Sequence, residues 1–183
     1  MKTTLLIVDV QNDYFSGGKN ELVGSLEASL RIKILLEEFR RKSREIIYIQ
    51  HISESPTATF FLPNTEGVAI HRNVYPKKED TIFVKHYPNS FRDTGLDEYC
   101  KNKGIDTLVI VGMMSHMCID TTVRAGYDLG YKIVIIRDCC ATKDLKMGER
   151  VVKAEEVQIA YMAAINGTFG EVKTVEEYIK GEI

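Results

Sequence analysis

Three runs in this chain are apolar at every position: Leu5-Leu6-Ile7-Val8, Leu108-Val109-Ile110-Val111 and Ile133-Val134-Ile135-Ile136. A strand with one wet face alternates apolar and polar residues. A strand buried on both faces does not, and such strands belong to parallel sheets covered by helices on either side. Strands are expected over residues 3–9, 45–51, 81–85, 107–111, 132–137 and 171–174. Helical patterns fall between them at about 25–43, 95–103, 118–129 and 146–165. In the first helix Leu26, Leu30, Ile34 and Phe39 recur near helical spacing, with Ser25 as the expected N-cap, and Asn166-Gly167 is a stop signal for the last. Alternating strands and helices predict a three-layer α/β/α, Rossmann-like fold, its six-stranded parallel sheet in the order 3-2-1-4-5-6. A chain of 183 residues fits one such domain, 1–183.

The remaining bulk properties act by exclusion. At 44% apolar and 27% charged residues the composition is that of an ordinary globular protein. A net charge of −2 provides no electrostatic footprint for nucleic acid or for an anionic membrane. The basic group Arg40, Arg41, Lys42 and Arg44 closes a helical pattern, where cations suit the carbonyl-rich terminus. No apolar stretch approaches the ~20 residues that span a bilayer, and the first residues do not form a signal sequence. The four cysteines lack paired CxxC spacing, so they are expected as free thiols in a reducing, cytoplasmic setting, with adjacent Cys139 and Cys140 buried at a strand end.

In an open sheet of this kind a crevice forms at the carboxyl ends of the strands where their order reverses. Three predicted strands end there on chemically loaded residues. The first ends in Asp9-Val10-Gln11-Asn12-Asp13-Tyr14, the third on Lys85, and the fourth leads through Gly112-Met113-Met114-Ser115-His116-Met117 to Cys118. Singly, an aspartate after a strand caps a turn, a lysine is solvated and a cysteine packs as a small hydrophobe. Together they place an acid, an ammonium and a thiol at one sheet edge. Two long connections, 53–80 and 87–94, border the same edge, and loops of that length in a compact domain are usually functional.

These segments resemble the isochorismatase-like cysteine hydrolases, a family that includes nicotinamidases and carbamoylsarcosine-type amidases. The resemblance rests on the opening Leu5 to Tyr14 with Gly17-Gly18 behind it, Lys85 followed by Ser90-Phe91, Gly112 to Cys118, Tyr131-Lys132-Ile133 leading to Asp138, and Asn166-Gly167-Thr168-Phe169. It implies a catalytic triad of Asp9, Lys85 and Cys118, with a cis peptide between Met113 and Met114 that aims the Met114 amide, beside that of Cys118, at an oxyanion. It also implies hydrolysis of a carbon–nitrogen bond in a small amide, ureide or carbamoyl substrate through a thioester, and self-association as a homo-oligomer (a dimer or higher). Pocket positions by the same resemblance are Tyr14, Phe91, Ser115 and Met117, with His51 as a hydrogen-bonding wall.

The triad faces an energetic difficulty. Ordinary pKa values of ~3.9 for Asp and ~8.5 for Cys leave a gap of about 6 kcal/mol against proton transfer. Burial is expected to raise Asp9, while Lys85 and the amino end of the following helix favour the thiolate. A helix end contributes only ~0.3–1 kcal/mol, so Lys85 has the larger share.

No metal and no cofactor are expected. Nicotinamidases of the family hold a divalent metal through an Asp-x-His segment after the second strand, and Gln50 stands here where that aspartate would be. His71, His86 and His116 are scattered without ligand spacing. Enol-ether hydrolysis of the isochorismatase kind is an alternative that has no need of a thiol. A nucleotide-binding oxidoreductase is disfavoured because neither GxGxxG nor GxxxxGK[ST] occurs. A non-catalytic interaction module on the same fold is the remaining alternative, against which the intact triad argues.

Overall fold

The computed structural model describes residues 2–181. In chain order the strands are β1 (Thr3–Val8), β2 (Glu45–His51), β3 (Thr81–Lys85), β4 (Thr107–Met113), β5 (Lys132–Ala141), β6 (Leu145–Met147), β7 (Arg150–Val152) and β8 (Glu171–Lys173). The helices are α1 (Ser25–Arg41), α2 (Leu96–Lys103), α3 (Asp120–Asp128), α4 (Ala154–Ile165) and α5 (Val175–Lys180). Six strands form one sheet in the order β3-β2-β1-β4-β5-β8, and every pairing in it is parallel. This is the expected order, the sixth strand being β8 because a small hairpin intervenes.

The apolar runs behave as two-faced strands. Leu5 and Ile7 enter one core while Leu6 and Val8 enter the other, and Val109 and Val111 divide from Leu108 and Ile110 in the same way. Side chains alternate across a strand, so an unbroken apolar run supplies both cores at once. The first core is closed by Ala28, Ile32, Leu35, Leu36 and Phe39 of α1 with Val175 and Tyr178 of α5. The second is closed by Leu96 and Cys100 of α2, Val123 of α3, and Met162 and Ile165 of α4. Each fully buried Leu, Ile or Val contributes ~1.5–3 kcal/mol, which makes the four central strands the most stable part of the sheet. Cys139 and Cys140 fall in opposite cores and are free thiols, as neighbours on a strand must be. Among the described residues no helix is long and apolar enough to cross a membrane.

Three local expectations need correction. On α1 the stripe Leu26, Leu30 and Ile34 points outward, at 50%, 49% and 49% exposure, and only Phe39 of the expected set is buried. The helix carries two apolar rows. The one with Leu35, Leu36 and Phe39 faces the sheet because Ala28 and Ser29 on that side allow a close approach. Ser25 is the first helical residue, not the cap; Gly24 in a left-handed conformation (φ 76°) holds that position. Finally, the segment expected to begin the last helix forms the β6–β7 hairpin instead. Gly148 at φ 60° supplies its turn, and the β-branched Val151-Val152 pair suits a strand. Helix α4 starts only where the Asp144 carboxylate accepts from the Ala154 amide (2.8 Å) and Glu156 from that of Lys153 (3.1 Å).

Candidate active site

Four adjacent strands deliver side chains to one edge. Asp9 follows β1 directly, His51 and Lys85 are the last residues of β2 and β3 and stand opposite each other in register, and Cys118 follows β4. Asp9 is left-handed (φ 52°), a conformation that Asp and Asn tolerate better than other non-glycine residues, while its amide still donates to the Ile49 carbonyl (3.0 Å). The turn therefore swings the carboxylate across the strand ends. Gly112 makes the corresponding approach from β4: at φ 126° it lies against β1, where any Cβ would overlap the Val8 carbonyl oxygen.

Beyond Gly112 the Met113–Met114 peptide is cis, and residues Ser115–Ile119 form a single π-helical turn before α3. The amides of Met117 (3.0 Å) and Ile119 (3.2 Å) both donate to the Met114 carbonyl, with Cys118 between them. Widened turns of this kind concentrate at functional sites. The turn is pinned from outside: the Ser115 hydroxyl lies between the Ala141 carbonyl (3.2 Å) and Gln158 Oε1 (2.5 Å), and His116 Nδ1 is 2.6 Å from Thr142 Oγ1.

Asp9 and Lys85 are completely buried and Cys118 is 3% exposed. Lys85 Nζ lies 2.7 Å from Asp9 Oδ2 and donates to the carbonyls of Tyr87 (3.1 Å) and Pro88 (3.3 Å). It also stands 3.3 Å from His51 Nδ1. The same Nδ1 is 3.7 Å from Asp9 Oδ2. The ammonium approaches Oδ2 out of hydrogen-bonding line, and Oδ1 has no hydrogen-bond partner, so the buried carboxylate keeps acceptor capacity free for a proton.

The charges correct the expected pKa pattern. Burial pushes Asp9 upward, but Lys85, His51 and the thiol together outweigh it and hold the carboxyl below its ordinary value. Lys85 is raised, the pull of Asp9 and Cys118 exceeding the cost of burial. Burial and then Asp9 drive the Cys118 thiol well above the ordinary range, with Lys85 opposing them. One cation cannot compensate two anions in a dry site, so the resting arrangement is carboxylate, ammonium and neutral thiol. A thiolate arises here only as its proton moves to Asp9. Alkylation of Cys118 is accordingly expected to stay slow through the pH range in which an ordinary thiol ionises (about 8–9) and to rise above it. Lys85→Met removes the opposing cation and should move that rise to still higher pH, read from iodoacetamide rates between pH 7 and 11. An unmoved profile would show that the ammonium has no hold on the thiol.

Of the expected pocket residues, Tyr14 and His51 neighbour Asp9, and Met117 is on the surface at 42% exposure. The Tyr14 phenol is driven up by burial and by the neighbouring Cys118 and Asp9. The other two make packing contacts. Ser115 is fully buried and ties its turn to β5 and α4, and Phe91 stacks on Tyr131 (5.8 Å) against Gly126 of α3. Both thereby tie the turn and the loop after β3 to the elements behind them. Sequence reasoning also passed over Gln11, Asp13 and Phe61. Gln11 exchanges hydrogen bonds with the His51 backbone (2.8 Å each) and donates to the Val68 carbonyl (2.8 Å). The signal was present in the polar residues of Gln11-Asn12-Asp13 within an otherwise apolar opening, and in Phe60-Phe61 inside a polar loop.

Asp9, His51 and Cys118 place ligand-type atoms within 4.8 Å of one another, the one such group among the described residues. They do not fit a divalent ion, because the buried Lys85 ammonium already neutralises Asp9 at 2.7 Å and would repel a dication beside it. Gln50, in the place of the absent aspartate, donates instead to the Val68 carbonyl (3.0 Å).

Residues 3–177 match the family model of the isochorismatase domain. Over 180 residues the chain is 46% identical to the isochorismatase family protein YddQ of Bacillus subtilis (strain 168), covering 98% of this chain and all of that one. The crystal structure of an isochorismatase from Pseudomonas putida KT2440 superposes with a TM-score of 0.89 at 30% identity, covering 95% of this chain and 88% of the other. Ureidoacrylate amidohydrolase RutB of Acinetobacter baylyi (strain ATCC 33305 / BD413 / ADP1) is 25% identical over 174 residues, 76% of this chain and 70% of its own.

Proposed function

The chain belongs to the isochorismatase family of hydrolases, and from that premise we propose that it cleaves a carbon–nitrogen bond of a small amide, ureide or carbamoyl compound with Cys118 as nucleophile. The observation that carries this reading is the buried thiol set beside a buried carboxylate whose free oxygen lacks a partner and whose charge is balanced by Lys85. Enol-ether hydrolysis has no use for a nucleophile placed in this way.

In the proposed cycle Asp9 takes the thiol proton as Cys118 Sγ attacks the substrate carbonyl. Thiol and carboxylate thus never have to be anionic together. The tetrahedral oxyanion accepts hydrogen bonds from the backbone amides of Met114 and Cys118, donors that need no reorganisation once the turn is pinned. Protonated Asp9 passes its proton to the departing nitrogen, which leaves as ammonia or an amine while the carbon–nitrogen bond breaks and a thioester remains. Water then loses a proton to Asp9 and attacks the thioester, and the returning proton regenerates the Cys118 thiol. Lys85 holds one positive charge beside Asp9 throughout, and the His51 ring beside them is available to a substrate polar group.

An ammonia-release screen over small amides, ureides and carbamoyl compounds tests this reading, together with mass spectrometry of quenched reactions. The expected result is turnover of at least one class, with an acyl adduct on the Cys118 peptide. Activity is also expected to be unchanged after exhaustive chelation, since the charge at Asp9 is already met by Lys85. An adduct on another residue, or activity lost on chelation and restored by returning one equivalent of metal, would overturn it.

A further inference from the structure

Asp13 is buried, at 4% exposure, and no cation pairs with it among the described residues. Its two oxygens are used separately. Oδ2 accepts from the amide of Phe61 (2.6 Å) and Oδ1 from the amide of Lys19 (3.1 Å). Phe61 lies 48 residues away, in the middle of the long connection between β2 and β3. Its backbone is left-handed (φ 56°), uncommon for a bulky residue, and its carbonyl accepts from the Ser53 amide (2.9 Å). The ring is wholly buried, 4.6 Å from Tyr14 and 5.8 Å from His51 between ring centres. Gly67, from the same connection, lies so close that a Cβ there would overlap the Asp13 carboxylate, and a Cβ on Gly18 would overlap the Asp13 carbonyl oxygen. Two loops are thus drawn onto one carboxylate.

We propose that Asp13 is a positioning residue that holds the connection between β2 and β3 closed over the thiol, seating Phe61 as the roof above His51 and Tyr14. Asparagine could not do the same, because two amide donors on different oxygens need two acceptors and an asparagine side chain has one. A buried carboxylate without a counter-ion is costly, and its retention is explained if both of its acceptors are in use. Asp13 does not touch the reacting atoms and takes no part in proton transfer. It sets whether the thiol is sealed from water, which matters to a thioester that must wait for the right water. The functional meaning rests on Cys118 being the nucleophile, whereas the deciding readout below, the alkylation rate, does not use turnover.

The test compares the rate of Cys118 alkylation by iodoacetamide at one fixed pH in the wild type, Asp13→Asn and Gly67→Ala, with peptide mapping of all four cysteines. Gly67→Ala displaces the same carboxylate from the other side, so it reports on the clamp without altering its chemistry. Cys118 is expected to react at least about tenfold faster in both variants, while Cys100, Cys139 and Cys140, buried elsewhere, keep their rates. On a substrate found by the screen, KM should rise with the pH dependence of kcat unmoved. An unchanged Cys118 rate in Asp13→Asn would overturn the proposal. So would an equal acceleration of all four cysteines, which would make Asp13 a residue of general stability. Loss of the nucleophile assignment, by turnover persisting without Cys118, would leave the alkylation result standing, so the two failures are separable.

Discussion

Cys118→Ala is expected to abolish turnover, to background and by on the order of 10⁴–10⁶-fold, the scale on which acyl-transfer enzymes fall when the nucleophile is removed. The size follows from the mechanism and not from packing, since trimming one small buried side chain barely alters the core. The oxyanion donors remain in place, so any residual activity measures their share with water as the only nucleophile. Cys118→Ser preserves the shape and still should fail: a hydroxyl is far harder to ionise than a thiol, and the site already disfavours a second anion. Steady-state rates on a substrate from the ammonia screen provide the measurement. Turnover near the wild-type rate in Cys118→Ala would remove the thioester route altogether.

The next largest effect is expected at Asp9. Asparagine tolerates the left-handed backbone at this position (φ 52°), so Asp9→Asn changes charge and basicity with little change of shape. Loss of the base should lower kcat by ~10²–10⁴-fold. The same substitution strands the Lys85 ammonium in a fully buried position without its counter-ion. Breaking a buried pair from one side costs ~3–5 kcal/mol, or very roughly 6–20 °C in Tm for a domain of this size. The two losses separate in the double variant Asp9→Asn/Lys85→Met, which removes the stranded charge. Its thermal stability should recover much of the loss, while kcat stays at the level of the single variant. Recovery of activity in the double variant would show that the carboxylate acts only as a counter-ion and not as a base.

The sequence spoke most clearly where one physical demand overrode all others. Leu5 to Val8 and Leu108 to Val111 have to fill two cores at once, and only buried parallel strands meet that demand, so the sheet and the strand ends carrying Asp9, Lys85 and Cys118 were legible. The buried face of α1 was not, because the helix carries two apolar rows and spacing alone cannot choose between them. Packing against β4 and β5 chooses, through the small residues Ala28 and Ser29. Ser115 and Phe91 were named as pocket positions by resemblance alone, and the packing contacts they make, Ser115 with Ala141 and Gln158 and Phe91 with Tyr131, follow from partners distant in the chain that no local pattern reveals. The sense of the pKa shifts was hidden for a different reason. It depends on how many charges share one dry volume, and that number appears only when Asp9, His51, Lys85 and Cys118 are brought together. Asp13 showed itself as polar but not as buried, since its partners come from loops whose path no periodicity describes.

The sheet register has a consequence for how such a molecule can change. Val8 is opposite both Ile49 and Gly112, and His51 is opposite Lys85, so the strands bearing Asp9, His51 and Lys85 are locked to one another up to the last paired residue. Those three side chains sit at that boundary or one residue beyond it. Everything that surrounds them, including Phe61 and the stretch after Lys85, hangs from connections that contribute nothing to the ladder between β1 and β4. Such connections can be lengthened, shortened or rewritten at modest entropic cost while the register stands. The molecule is in this way divided between a rigid part that fixes Asp9, His51 and Lys85 relative to one another and a replaceable part that shapes the space around them.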